Sequence, residues 1–171
     1  MPISLDALRS AASRPYRMTA AKSINEAKAK HQQTAFLCHS HEDSTLASGL
    51  QILLNENGWD LYIDWQDTTM PEKPSRDTAV RIQEKIRGLD WFLFLATPNS
   101  ILSKWCPWEI GFADNAKPHN KILMIPTTDR SGVWYGNEYL QLYRRIDTAQ
   151  GDMIATFDEG KTTGGIYVKS L

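Results

Sequence analysis

Between residues 34 and 127 the chain alternates four short apolar runs with three amphipathic stretches, and few folds accept that order. TAFLCHS (34–40), WDLYID (59–64), DWFLFLAT (90–97) and KILMIPT (121–127) read as strands. STLASGLQILLNENG carries Leu46, Leu50, Leu53 and Leu54 at helical spacing, with Ser44 placed to cap it and Gly58 to close it. RDTAVRIQEKIRGL is a second helix, with Val80, Ile82 and Ile86 as its apolar stripe. SILSKWCPWEIGFADNAK supplies the third, and Pro107 fits only its first turn. Strand–helix alternation of this kind implies an α/β domain, a parallel sheet with helices on both faces. WFLFLA, apolar throughout, is the strand expected at its centre, covered on both sides.

The flanks are less regular. Beyond residue 128, RSGVWYGNEYLQLYRRID reads as a loop and a short strand, and DEGKTTGGIYVKSL as a turn followed by a terminal strand. Residues 1–31 carry Arg9, Arg14, Arg17, Lys22, Lys28 and Lys30 against Asp6 and Glu26, six positive charges less two negative. This basic stretch, rich in Arg, Ser and Ala, has the composition of a transit peptide and equally that of a short amphipathic helix. It is expected to be a helical or partly disordered extension, with residues 32–171 forming the domain.

The formal net charge of -1 gives no general case for nucleic acid or a membrane surface. No apolar run approaches the roughly 20 residues that span a bilayer. The two cysteines, Cys38 and Cys106, form no disulfide framework and have no metal-ligand spacing, which points to a reducing, cytoplasmic setting.

In parallel sheets ligands bind beyond the carboxyl ends of the strands. Four segments of this chain meet there: CHSHED, DWQDTTMPEKPS, TPNSILSKWCPWE and TTDRSGVWYG. They bring His39, His41, Glu42, Asp43, Asp64, Trp65, Trp105, Trp108, Glu109 and Trp134 to one end of the sheet. No glycine-rich phosphate cradle is present, so a nucleotide there would be held by stacking, hydroxyl contacts and helix N-termini.

Trp105 and Glu109 are four apart, one above the other on a helix. Either Glu109 is a solvated charge complementing the helix dipole, or it is a carboxylate held beside indole rings. In the second case it suits a ribose and the positive charge that develops at an anomeric carbon. His39 and His41 are loop histidines, and His31 and His119 do not complete a metal site with them. Cys38, on a strand, reads as buried rather than as a nucleophile. Trp65 and Trp134 fall in loops, where indoles either fill the core or stack on a ligand ring. The loop at 65–75, with Met70, Pro71 and Pro74, is long enough to be a contact surface.

Three stretches together resemble the Toll/interleukin-1 receptor (TIR) domain family of the bacterial type. They are AFLCHSHEDSTLASGLQILLNENGWDLYIDWQ, RIQEKIRGLDWFLFLATPNSILSKWCPWEIGFA and KILMIPT, more than half the chain. The resemblance implies a flavodoxin-like parallel sheet of about five strands with helices on both faces. It also implies cleavage of the nicotinamide–ribose bond of NAD, with Glu109 of W-x-x-x-E as the essential residue and Trp105 as its motif partner. NAD is then substrate, not cofactor, and no metal is called for. Products would be ADP-ribose or a cyclic ADP-ribose-type signal, in bacterial anti-phage defence, acting on a separate effector protein. Substrate contacts are expected at Trp105, His39, Ser40, Asp64, Trp65 and Trp134, and self-association through the BB loop at 65–75. The alternatives are a non-enzymatic TIR–TIR adaptor, in which Glu109 is structural, and a virulence factor imitating host TIR partners.

Overall fold

The computed structural model describes residues 1–15, 32–71, 75–136 and 138–171. Its strands are β1 (Ile3–Ser4), β2 (Gln33–Cys38), β3 (Trp59–Tyr62), β4 (Trp91–Ala96), β5 (Ile122–Thr128), β6 (Trp134–Tyr135), β7 (Arg144–Thr148), β8 (Ile154–Phe157) and β9 (Ile166–Tyr167). Its helices are α1 (Leu5–Ala12), α2 (Ser44–Asn55), α3 (Arg76–Gly88), α4 (Pro98–Leu102) and α5 (Cys106–Ala116). The sheet order is β3-β2-β4-β5-β7-β8-β9, with β1 and β6 also paired to β5. β3, β2, β4, β5 and β7 run parallel, as expected of the flavodoxin-like class. Antiparallel β8 and β9 extend the sheet further than expected.

The strand residues alternate between two cores. Ala35, Leu37, Leu93, Leu95, Leu123 and Ile125 face one side, where Leu8 of α1 and Leu46, Leu50 and Leu54 of α2 cover them. Phe36, Cys38, Phe92, Phe94, Ala96 and Met124 face the other, under Ile82 and Ile86 of α3 and Cys106, Ile110 and Ala113 of α5. Every residue of β4 is buried, because both of its faces are covered. Each large apolar side chain so buried contributes on the order of 1.5–3 kcal/mol.

Several local expectations are corrected. Ser44 does not cap α2. It is the helix's first residue, and Asp43 takes the cap position without a side-chain capping bond. Val80 is 41% exposed and lies off the stripe of α3 that Ile82 and Ile86 form. The expected third helix is two helices, α4 and α5. Ser103 breaks the run, and its hydroxyl accepts from the N–H groups of Trp105 and Cys106 to restart it. Pro107 does sit in the first turn of α5. β8 lies in a stretch where no strand was anticipated.

The expected helix near the start of the chain is α1, and residues 16–31 lie outside the described residues. β1 pairs in parallel with β5, and Leu5, Leu8 and Ala11 of α1 are buried. Gly49 of α2 makes this packing possible, since a Cβ there would lie 1.9 Å from the carbonyl oxygen of Leu8. Among the described residues no helix is long and apolar enough to cross a membrane.

Candidate active site

The chain passes from β2 outward to β3, then returns to place β4 on the other side of β2. That reversal opens a crevice between the carboxyl ends of β2 and β4. Asp43, in the turn after β2, ties the crevice walls together. Its buried carboxylate accepts from Thr97 Oγ1 at 2.5 Å and from Asn99 Nδ2 at 2.7 Å, both just past β4. Ser40 caps the same turn by accepting from the N–H of Glu42 at 3.4 Å.

Glu109 sits in the first turn of α5, whose N-terminus reaches this crevice. The backbone N–H of Glu109 donates to the carbonyl of Trp105 at 2.9 Å, so the W-x-x-x-E spacing closes one helical turn. Trp105 occupies the position before the helix rather than the helix itself. The solvated-charge alternative for Glu109 does not hold, because the residue is only 5% exposed. Burial pushes its carboxyl up to about 8, although the neighbouring Cys38 thiol acts to lower it. The charges of Cys106 and Asp64 act in the same direction as burial.

The two cysteines meet beneath this acid. Cys38 Sγ lies 3.8 Å from the carbonyl oxygen of Cys106, and both residues are fully buried. Burial drives the Cys38 thiol well above its ordinary range. Cys106 is lowered, first by the bond from Cys38 and then by that from Ser103. Tyr139, in the short turn at 138–142, lies near both thiols and is raised by burial and their charge. Neither Cys106 nor Tyr139 was singled out from sequence. Cys106 was detectable in principle, being three residues before Glu109 on one helix face. Tyr139 arrives through a long loop that carries no periodic signal.

The aromatic wall is a ladder on α5. Trp105 and Trp108 meet edge to face at 5.5 Å, and Trp108 stacks on Phe112 at 6.3 Å. On the other wall, His39 Nδ1–H donates to the carbonyl of Leu37 at 3.2 Å. Its Nε2 lies 3.9 Å from Asp64 Oδ1, which in turn accepts the N–H of Trp65 at 2.8 Å. The indole of Trp65 is 43% exposed beside this pair. His41 is exposed and 6.5 Å from His39, ring to ring.

The structure thus brings Glu109, Cys38, Cys106, Asp64 and His39 together. It does not bring Trp134 to them. Trp134 lines an open cavity of about 1460 Å³ with Met124, Pro126 and Tyr143, and Glu109 is not on its wall. Among the described residues no three His, Cys, Asp or Glu side chains converge to hold a metal. The start of the 65–75 loop is fastened to α3. Asp67 accepts from Tyr62 Oη at 2.7 Å and pairs with Lys85 at 3.2 Å, while Arg81 donates to the Thr69 carbonyl at 2.7 Å.

Comparison with known proteins agrees with this architecture. The TIR domain family model matches residues 35–159. The chain is similar to the "Probable 3' cyclic ADP-D-ribose synthase ThsB'" of Bacillus cereus (strain MSX-D12), at 32% identity over 126 residues. That match takes in 72% of this chain and 64% of the relative, so the chain spans less than two thirds of the relative's length. A parallel sheet with its crevice at the β2–β4 reversal, a W-x-x-x-E turn at that crevice and a family match over most of the chain lead to one assignment: the protein belongs to the TIR domain family.

Proposed function

We propose that the protein cleaves the nicotinamide–ribose bond of NAD, releasing nicotinamide and ADP-ribose or a cyclic ADP-ribose-type nucleotide. One observation carries this reading: a carboxyl group 5% exposed, at the strand-tip crevice, beside an indole-lined helix face. The name of the Bacillus relative supports the substrate class.

Nicotinamide in NAD is already a cationic leaving group, so its departure needs no strong acid. The barrier is the charge that builds on the ribose. Glu109, desolvated, holds the ribose hydroxyls and stabilises that charge as it develops. Its raised pKa means the empty site binds a proton, and an arriving cationic ring favours release of that proton. Trp105 walls the ribose, and Trp65, exposed next to Asp64, stacks on a ring of the dinucleotide. Ser40 keeps the loop that carries His39 in place.

Self-association through residues 65–75, a separate effector activated by the product, a cytoplasmic setting and a role in bacterial anti-phage defence belong to the same reading. Incubating the protein with NAD over a range of protein concentrations, and identifying the products by mass spectrometry, tests it. Nicotinamide must appear with an ADP-ribose-type partner. Intact NAD at every concentration overturns the enzymatic reading and leaves a docking module.

A further inference from the structure

Resting on the NAD-cleaving reading of Glu109, we infer that His39 is the base that deprotonates an adenosine-ribose hydroxyl of the bound dinucleotide. The product is then an oxygen-linked cyclic nucleotide.

The imidazole is fixed in one tautomer. A carbonyl can only accept, so the 3.2 Å contact with Leu37 places the proton on Nδ1 and the lone pair on Nε2. The side chain is 3% exposed, and among the described residues Nε2 has no hydrogen-bond partner. Buried acceptors are rarely left in that condition without a use. Desolvation also lowers the affinity of the ring for a proton, so it stands neutral and able to accept one.

The gap in front of Nε2 has a definite size. Asp64 Oδ1 is 3.9 Å away, too far for a direct bond. Nε2 is sealed from solvent in the empty protein, so a hydroxyl oxygen reaches a position about 2.8 Å from each atom only when the bound dinucleotide parts the surrounding side chains. Asp64 is held by the N–H of Trp65 and supplies the negative charge that steadies an imidazolium. The exposed Trp65 indole adjoins Asp64, so an adenine stacked there leaves its own ribose at the gap. Asp64 acts electrostatically on Glu109 as well, so the two carboxyl groups lie near each other.

A ribose hydroxyl oxygen forms a bond to the anomeric carbon of the nicotinamide ribose. The bond from that carbon to the ring nitrogen breaks, and its electron pair neutralises the pyridinium. The hydroxyl proton passes to His39 Nε2 and then to solvent. An adenine ring nitrogen has no proton to lose on attack, so a base in this position favours oxygen attack. The tethered hydroxyl competes well with water because it is held in place and the crevice is buried.

His39→Gln and His39→Ala, each first shown to be folded by thermal unfolding, are compared with wild type for nicotinamide release and for product ratio. Asp64→Asn is the second probe, as it removes the charge that supports the imidazolium. Loss of a general base lowers nicotinamide release by about tenfold and oxygen-linked cyclic product by about a hundredfold or more, with ADP-ribose making up the difference. Asp64→Asn shifts the ratio in the same direction by less. Parallel losses that leave the ratio unchanged overturn the assignment. So does a wild-type protein that makes only ADP-ribose or a nitrogen-linked product, and that result leaves the role of Glu109 intact. Absence of nicotinamide release from wild type, or full release from Glu109→Gln, overturns the underlying reading and the assignment with it.

Discussion

The thiol of Cys38, at the end of β2, lies near the carboxyl of Glu109 in the first turn of α5 and favours its ionised form. This contact relates β2 to the helix that carries the proposed catalytic acid. It opposes the burial that otherwise favours the protonated acid. Cys38→Ala removes the thiol that holds the Glu109 pKa down, so that pKa rises and the acid limb of kcat/KM moves to higher pH. Cys38→Ser offers a stronger donor and moves it to lower pH. The pH profile of nicotinamide release for the two variants checks both directions.

Glu109 also makes stability depend on pH. Its carboxyl titrates near 4.5 in the unfolded chain and about 8 in the folded one. Between these values the folded protein holds a proton that the unfolded chain has released. Stability is therefore full below about 4.5, falls as pH rises toward 8, and levels off above it. The loss amounts to roughly 3–5 kcal/mol. Glu109→Gln carries no such ionisation, so its Tm exceeds that of wild type most at pH 8 and the difference closes toward pH 4.5. Thermal unfolding of both proteins across this range measures it.

Asp43 holds the crevice together through Thr97 and Asn99. Asp43→Ala leaves both partners without their charged acceptor and costs about 3 kcal/mol. For a chain of this size that lowers Tm by about 6–12 °C. Nicotinamide release falls with it, because the turn carrying His39 and Ser40 is no longer tied to the segment after β4. Calorimetry and an activity assay below the lowered Tm separate the two effects.

Two glycines give opposite outcomes. At Gly49 an added methyl meets the Leu8 backbone at 1.9 Å, so Gly49→Ala forces α1 off α2 and destabilises by about 3 kcal/mol. At Gly111, exposed on α5, nothing lies within 4 Å of an added Cβ. Gly111→Ala therefore stabilises by about 0.5–1 kcal/mol. Denaturant unfolding reads both, and amide exchange at residues 5–12 reports specifically on the Gly49 variant.

The parallel strands from β2 to β5 were legible because each is a short apolar run bounded by polar or turn residues. β4 in particular could hardly be anything but a covered central strand. The break between α4 and α5 was not legible, since SILSKWC has helical composition and only the Ser103 hydroxyl decides where the helix restarts. β8 is as short as β3 but follows another strand rather than an amphipathic helix, so no strand–helix alternation marks it. Asp43 was visible as an acid but not as a clamp, because its partners follow a different strand. The contact of Cys38 with Glu109 was hidden for the same reason. Spacing within α5 pairs Glu109 with Trp105, whereas its partner across the crevice is set by the crossover of the sheet.

The central claim is that one desolvated carboxyl drives cleavage of NAD. It is tested most directly by measuring nicotinamide released from NAD by wild type and by Glu109→Gln, at matched high protein concentration and after both are shown to be folded. The account predicts release by wild type and a rate lower by about a thousandfold or more in Glu109→Gln, in keeping with the loss of a buried electrostatic stabiliser. Comparable rates in the two proteins would contradict it.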